Sequence, residues 1–410
     1  MARTIFHCDC NGFYASVECI FRPELKRVPM AVCGDPRSRH GIILAKNELA
    51  KSFGVQTAET VWQAKRKCPE LVLVAAHHDA YQAYSQKVNA IYAQYTDQVE
   101  PFGVDESWLD MTGSLHLFGP GPQVADQLRE RVKRELGLTI SVGVSFNKIF
   151  AKLGSDYRKP DATTVITEEN YRAIVHPLPV SELLYVGDAA AAQLHRYGID
   201  TIGQLAQADP EQLTALLGKS GHMLYAYANG LEDSPVASID ERRPAKSIGN
   251  GITFRRNLVG VEDVRAGILA LSDSVAARLR QQGLYCHGVQ LQIKDPNLRM
   301  ISRQKGLSHG TFLAQDIAAC ALELARAHWP MTKPIRMMSV TAMQLSDTPG
   351  QVQLSLLDPT RGLDPRRCRL EQAMDRVRAR YGRQALSYAS LMDNDILMEP
   401  RAADEDRPEG

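Results

Sequence analysis

VEPFGVDESWLDMTG, residues 99–113, decides how this chain folds. Pro101 and Gly103 mark a tight turn, and Trp108, Leu109 and Met111 resume a strand beyond it. Asp105 and Glu106 therefore open a hairpin strand. Adjacent strand residues point to opposite faces, so both carboxylates can serve one site only at the irregular start of that strand. A third acid, Asp9, lies 96 positions earlier (105 minus 9). It closes TIFHCD (Thr4–Asp9), which reads as a short buried strand, and a carboxylate there is costly unless a cation meets it. Three carboxylates at neighbouring strand ends make a site for hard divalent ions. Mg²⁺ in such a site keeps positions open for substrate phosphates and suits two-metal phosphoryl or nucleotidyl transfer. Spacing alone also allows a surface hairpin with solvated acids and one capping aspartate near the chain start.

Around these strands the chain alternates in a definite order. Tyr81, Tyr84, Val88, Ile91 and Tyr95 recur at helical spacing before the hairpin, a helix is predicted over about 121–136 after it, and Thr139–Val144 reads as a strand. The order is β-α-β-β-α-β, a split βαβ or ferredoxin-like arrangement. Its first connection carries an insertion with two short helices, KNELAKSF stopped by Gly54 and TVWQAKRKC stopped by Pro69. Residues 168–236 hold no convincing strand and break into short helices punctuated by glycine. IDERRPAK (239–246) reads as a charged linker. Beyond it the six-element order returns: strand 247–254, a helix carrying Val264, Ile268, Leu271, Val275 and Leu279 on one face, strands near 286–294 and 299–305, a helix over 314–328 and a strand near 336–343.

The 410 residues, 44% of them apolar, suffice for two to four cores. No run reaches the roughly 18 apolar residues of a membrane span, and MARTIFHCD lacks a signal-peptide core, so no membrane association and a cytoplasmic location are expected. Eight cysteines without C-x₂-C pairs read as buried thiols rather than zinc ligands. The formal net charge is only +1, but Asp240–Gly310 holds twelve Lys or Arg against six Asp or Glu, an excess of +6. Such a segment in a nearly neutral chain fits a polyanion-binding face, and equally a solvated helix face.

CDCNGFYASVE (8–18), GVDESWLD (103–110) and SVGVSFNKIFAKLGSDYRKP (141–160) together resemble the three motif blocks of Y-family translesion DNA polymerases of the DNA polymerase IV type. The resemblance spans residues 3 to about 390. It implies an α+β, multi-domain right-hand polymerase: a ferredoxin-like palm (1–18 and 77–167), a small fingers insertion (19–76), a helical thumb (168–238), the linker 239–246, a second ferredoxin-like domain or little finger (247–347), and a C-terminal tail (348–410). A monomer using deoxynucleoside triphosphates and primer-template DNA is implied. By similarity Asp9, Asp105 and Glu106, with the carbonyl of Cys10, would hold two Mg²⁺ ions. Phe13 and Tyr14 match the aromatic pair after the first motif, Tyr14 at the position of the steric gate, whose ring would clash with a 2′-OH. Lys159 matches the lysine that contacts the triphosphate.

The chain departs from the family pattern at three places. Asn11 stands where many relatives carry a second Asp and is left out of the metal shell. Glu48 and Lys51 stand where the family often has Tyr and Arg on the triphosphate; Lys51 keeps the charge but not bidentate geometry, and Glu48 is dropped. LLYVGDAAAAQL, ending at Leu194, resembles a helix-hairpin-helix whose turn at Gly187 would meet a DNA phosphate, although it lacks Gly-x-Gly. In the little finger, Gln290, Gln292 and Lys294 fall on the polar face of an alternating strand, and Arg299, Arg303 and Lys305 are expected to reach backbone phosphates. Gln353, Leu354, Ser355, Leu356 and Leu357 (QLSLL) resemble the pentapeptide that binds the bacterial, beta-type sliding clamp. RLEQAMDRVRARYG (369–382) reads as a charged helix of no assigned role. Two other functions share some of these features: a nucleotidyl cyclase built on the palm, and a catalytically silent DNA-binding factor recruited by the clamp.

Overall fold

Ile5–Cys10 is buried at every position, as its apolar run requires. The computed structural model describes residues 3–34, 41–241, 244–350, 364–382, 385–392 and 395–396. In chain order the first eight strands are β1 (Ile5–Cys10), β2 (Met30–Cys33), β3 (Ile43–Lys46), β4 (Val72–Ala75), β5 (Val99–Pro101), β6 (Glu106–Asp110), β7 (Ile140–Ser145) and β8 (Thr163–Val165). β1 is antiparallel to β6 on one edge and to β7 on the other, in a five-stranded sheet ordered β5-β6-β1-β7-β8. Its four core strands follow the ferredoxin-like order, and β8 adds a parallel edge. The helices Phe13–Phe21, His78–Tyr92 and Gly121–Leu136 supply Val17, Tyr81, Val88, Val124 and Leu128 to its largest core. The insertion forms a separate three-stranded sheet, β3-β2-β4, around eight buried residues.

The helix Lys148–Tyr157 lies close against β7. A Cβ on Gly143 would stand 1.8 Å from the Ala151 carbonyl oxygen, so only glycine permits this approach. Asn147 caps the helix by accepting from Phe150 N–H at 2.8 Å. Residues 171–228 form short helices around Leu194, Ile202, Leu205, Leu213 and Leu224.

The chain divides into two compact units, Met1–Arg242 and Arg243–Gly410. The second holds β9 (Ser247–Leu258), β10 (Tyr285–Lys294), β11 (Met300–Thr311) and β12 (Ile335–Ser346), with the helices Val261–Gln281 and Ala314–His328 covering their apolar face. The β-α-β-β-α-β order recurs, but the strand order is β11-β10-β12-β9. With its first strand at an edge, this sheet is not wound like the ferredoxin-like one of the first unit. The order of elements along the chain does not fix their order across a sheet.

A further helix, Pro365–Tyr381, docks on this unit. Buried Arg280 meets both Glu371 and Asp375, and Arg378 pairs with Asp273 at 2.9 Å. Ile396 is 1% exposed within the same core. Among the described residues no two cysteines are joined in a disulfide, and seven of the eight are buried. Among the described residues no helix is long and apolar enough to cross a membrane.

Candidate active site

The register of the first sheet places Asp9 directly across from Glu106. Cys10 N–H donates to the Asp105 carbonyl at 3.0 Å, and Phe102 N–H to the Glu106 carbonyl at 2.9 Å. The hairpin turn thus leaves Asp105 just outside β6, and both of its acids line one cavity with Asp9. That cavity, about 400 Å³, is also lined by Cys10, Gly12, Phe13, Tyr14, Lys46, Thr57 and Lys159. Residues far apart in sequence converge here because β1 is the strand both β6 and β7 must join.

Two lysines hold the acids. Lys159 Nζ lies 2.7 Å from Asp9 Oδ2 and 2.7 Å from Asp156; Lys152 Nζ lies 2.8 Å from Glu106 Oε2. Behind Glu106 stands fully buried His7, whose Nδ1 bonds the Ser155 hydroxyl at 2.8 Å. Burial lowers the His7 pKa and keeps the imidazole neutral. Burial pushes the Asp9 carboxyl up to about 7, Lys159 opposing the rise and Glu106 adding to it. Burial also raises Asp105, with Glu106 beside it. Against the same push, His7 and Lys152 hold Glu106 well below the usual carboxylate range. The lysine is the stronger hold: its charge-assisted bond is of normal length, whereas His7 Nε2 stands 3.5 Å away and has no hydrogen-bond partner among the described residues.

Among the described residues, no group of three or more acid, His or Cys side chains is gathered into a closed ligand set. The donor chemistry nevertheless suits a hard divalent cation. Three carboxylates face one cavity, and burial, with Glu106 adding to it, pushes two of them toward protonation.

Tyr14 stacks on Tyr81 with ring centroids 4.1 Å apart and planes 14° from parallel. Tyr81 in turn donates its hydroxyl to buried Glu18, which His77 Nδ1 also meets at 2.8 Å. Phe13, 3% exposed, belongs to the core as much as to the cavity. Asn11 proves to be a clip: its amide donates to Ser141 Oγ at 2.9 Å and accepts from Asp161 N–H at 2.9 Å, tying the turn after Lys159 to β1 and β7. Lys51 does not line the cavity; its Nζ pairs with Glu48 at 3.5 Å on the surface. Lys46, Lys152 and His7 were not singled out by sequence. The signal for Lys152 was a cation on the inner face of an amphipathic helix, four residues before Asp156.

Gly187 precedes the helix Asp188–Arg196, in an open turn where Tyr185 has φ +72°. In the second unit Gln290 and Gln292 are opposite Thr341 and Ser339, and Lys294 opposite Met337, on the polar face. Arg303 and Lys305 are not on that face. They stand across from Leu291 and Val289, and Lys305 Nζ meets Glu323 of the covering helix at 2.5 Å. Sequence reading missed this because alternation along one strand does not fix its neighbour's register. Arg299 follows the Asp295 turn. QLSLL lies outside the described residues.

Comparison with known proteins bears on the same regions. The model of the impB/mucB/samB family matches residues 8–156, and that of its C-terminal domain residues 245–356. A DNA polymerase IV from Acetivibrio thermocellus is 48% identical over 397 residues, 96% of this chain and 98% of that protein. This chain is a DinB-like member of the Y-family DNA polymerases. A DNA polymerase IV from Moorella thermoacetica is 36% identical over 389 residues, covering 94% and 95% of the two chains. Among solved structures, the Y-family DNA polymerase chimera Dbh-Dpo4(243-245)-Dbh superposes with a TM-score of 0.74 over 84% of this chain and all of that one, at 22% identity, a likeness of fold. Membership implies dependence on a divalent metal ion, and neither the cyclase nor the silent-factor reading is favoured.

Proposed function

We propose that this chain is a template-directed DNA polymerase that adds deoxynucleotides to a primer 3′ end and carries synthesis past damaged bases. The observation that carries this reading is the cross-strand pair Asp9 and Glu106, with Asp105 beside it, in a cavity shared with Tyr14 and Lys159. Asp9, Asp105 and Glu106, with the Cys10 carbonyl, would hold two Mg²⁺ ions. Bound there, such ions favour ionisation of the primer hydroxyl and neutralise charge on the phosphoryl oxygens. Lys159, on the cavity wall beside Asp9, supplies a point charge for the triphosphate. Tyr14, held flat on Tyr81, sets a ring against the sugar that a 2′-OH would strike. The polar face carrying Gln290, Gln292 and Lys294 is suited to backbone contacts that position DNA without reading sequence. QLSLL (Gln353–Leu357) would tether a cytoplasmic, monomeric enzyme to the sliding clamp and raise its effective concentration at the primer end.

Primer extension on a primed template with Mg²⁺, beside an Asp105→Ala, Glu106→Ala variant, tests the reading. Extension by the natural chain and a loss of at least about 10³-fold in the variant are expected. Equal rates for the two, or no extension by the natural chain, would overturn it. Deleting residues 353–357 is expected to lower clamp-stimulated synthesis and spare unassisted extension; unchanged stimulation would remove the clamp from the proposal.

A further inference from the structure

One wall of the cavity is made by Leu44, Ala45 and Lys46 of β3, with Thr57 after it. The backbone of Lys46 is fixed from two sides. Asn47, the next residue, caps the helix Glu48–Ser52 by accepting from Ala50 N–H at 2.9 Å, and its side chain also accepts from Met30 N–H at 3.1 Å and donates to the Val28 carbonyl at 2.8 Å. On the other side, the Lys46 carbonyl oxygen approaches to 3.2 Å from where a Cβ on Gly12 would sit, so the end of β3 abuts the turn that follows Asp9 and Cys10. From this fixed base Lys46 Nζ reaches Thr57 Oγ1 at 3.0 Å. Among the described residues it has no carboxylate within ion-pair distance, whereas Lys159 and Lys152 each have two. Lys51, the cation that sequence comparison favours, is 57% exposed and paired with Glu48.

We infer that Lys46, rather than Lys51, is the cation that β3 offers to the triphosphate of the incoming nucleotide, standing in for the Tyr and Arg that this chain lacks at positions 48 and 51. The assignment rests on the polymerase reading above and names a residue within it. Lys159 on β7's side and Lys46 on β3's side then flank the same cavity, and a polyphosphate between them meets two ammonium groups and the Thr57 hydroxyl. Burial, with Lys51 nearby, lowers the Lys46 ammonium below the usual lysine range, and an anion relieves both effects. A compact ammonium on a flexible stem gives up the bidentate geometry of an arginine but needs no planar partner.

The test is nucleotide-dependent primer extension by the full chain as Lys46→Ala, Lys46→Gln, Lys46→Arg and Lys51→Ala, with calorimetric titration of inorganic tripolyphosphate alongside. Loss of a charge-assisted phosphate contact is expected to raise KM for the deoxynucleoside triphosphate by about tenfold or more in Lys46→Ala and Lys46→Gln, with a smaller change in kcat. Lys46→Arg recovers most of the loss, Lys51→Ala shifts KM less than Lys46→Ala does, and tripolyphosphate affinity falls in parallel. A KM within about twofold of the natural chain in Lys46→Ala, or a larger shift in Lys51→Ala, overturns the assignment while leaving the polymerase reading intact, provided the Asp105→Ala, Glu106→Ala variant is inactive. Absence of extension by the natural chain removes both.

Discussion

Asp9→Asn separates what the site costs the fold from what it gives to function. The Asp9 side chain is 6% exposed and its carboxyl is pushed from an ordinary 3.8 up to about 7 by burial, with Lys159 opposing and Glu106 assisting. Between those two values the folded chain carries a proton that the unfolded chain has released. Its contribution is therefore fully present below 3.8, declines as pH rises, and is lost above about 7. The slope is about 1.4 kcal/mol per pH unit, so a shift of roughly 3 units amounts to about 4 kcal/mol. Asn has no proton to lose. In EDTA, the natural chain should lose about 2–3 kcal/mol relative to Asp9→Asn between pH 5 and pH 7. The assay is urea unfolding followed by hydrogen exchange on peptides covering β1 and β6, which reads the first unit and not the whole chain. Mg²⁺ at pH 8 should restore stability to the natural chain and leave Asp9→Asn unchanged, while Asp9→Asn extends no primer. A stability difference flat from pH 5 to pH 7 would refute the strained carboxylate and with it the argument that this cavity is built to await a cation.

Tyr14→Ala should admit ribonucleotides; unchanged discrimination in extension with both nucleotide types would remove the gate role. Gly143→Ala sets a Cβ against the Ala151 carbonyl at 1.8 Å and should cost more than about 3 kcal/mol, read as a lowered melting temperature; a melt equal to the natural chain's would mean that the helix Lys148–Tyr157 is free to shift. Arg280→Ala leaves Glu371, already pushed up to about 7 by burial, and Asp375 without their cation. About 3–5 kcal/mol should be lost in the unfolding of the second unit by calorimetry, and a loss below about 1 kcal/mol would show that water reaches the pair.

Much of the site is legible in the sequence because local chemistry dictates it. TIFHCD reads as a buried strand and the turn at Pro101–Gly103 lets Asp105 and Glu106 share a side; spacing alone also allowed a solvated hairpin, and the structure lines one cavity with all three acids. What escapes sequence is partnership over distance. Asn11 could be set aside as a missing acid, but its amide bonds Ser141 and Asp161, more than a hundred residues away. Lys152 acts on Glu106 from the helix after β7 and His7 from β1, and Lys46 enters the cavity through the packing of β3 on the Gly12 turn. Register is equally silent: Arg303 and Lys305 look like members of a basic face until their partners Leu291 and Val289 turn them the other way.

β1 has neighbours hydrogen-bonded along both edges; Asp9 rides on it, Glu106 on β6 and Asp105 just before β6. A strand so enclosed is among the last parts of its unit to open, so the acids keep their spacing whatever lies in front of them. Tolerance of misshapen substrates must then reside in the more lightly built surroundings, foremost the three-stranded insertion with its eight-residue core. A stiff anvil under a yielding cover would let the chemistry stay constant while the opening around it adapts.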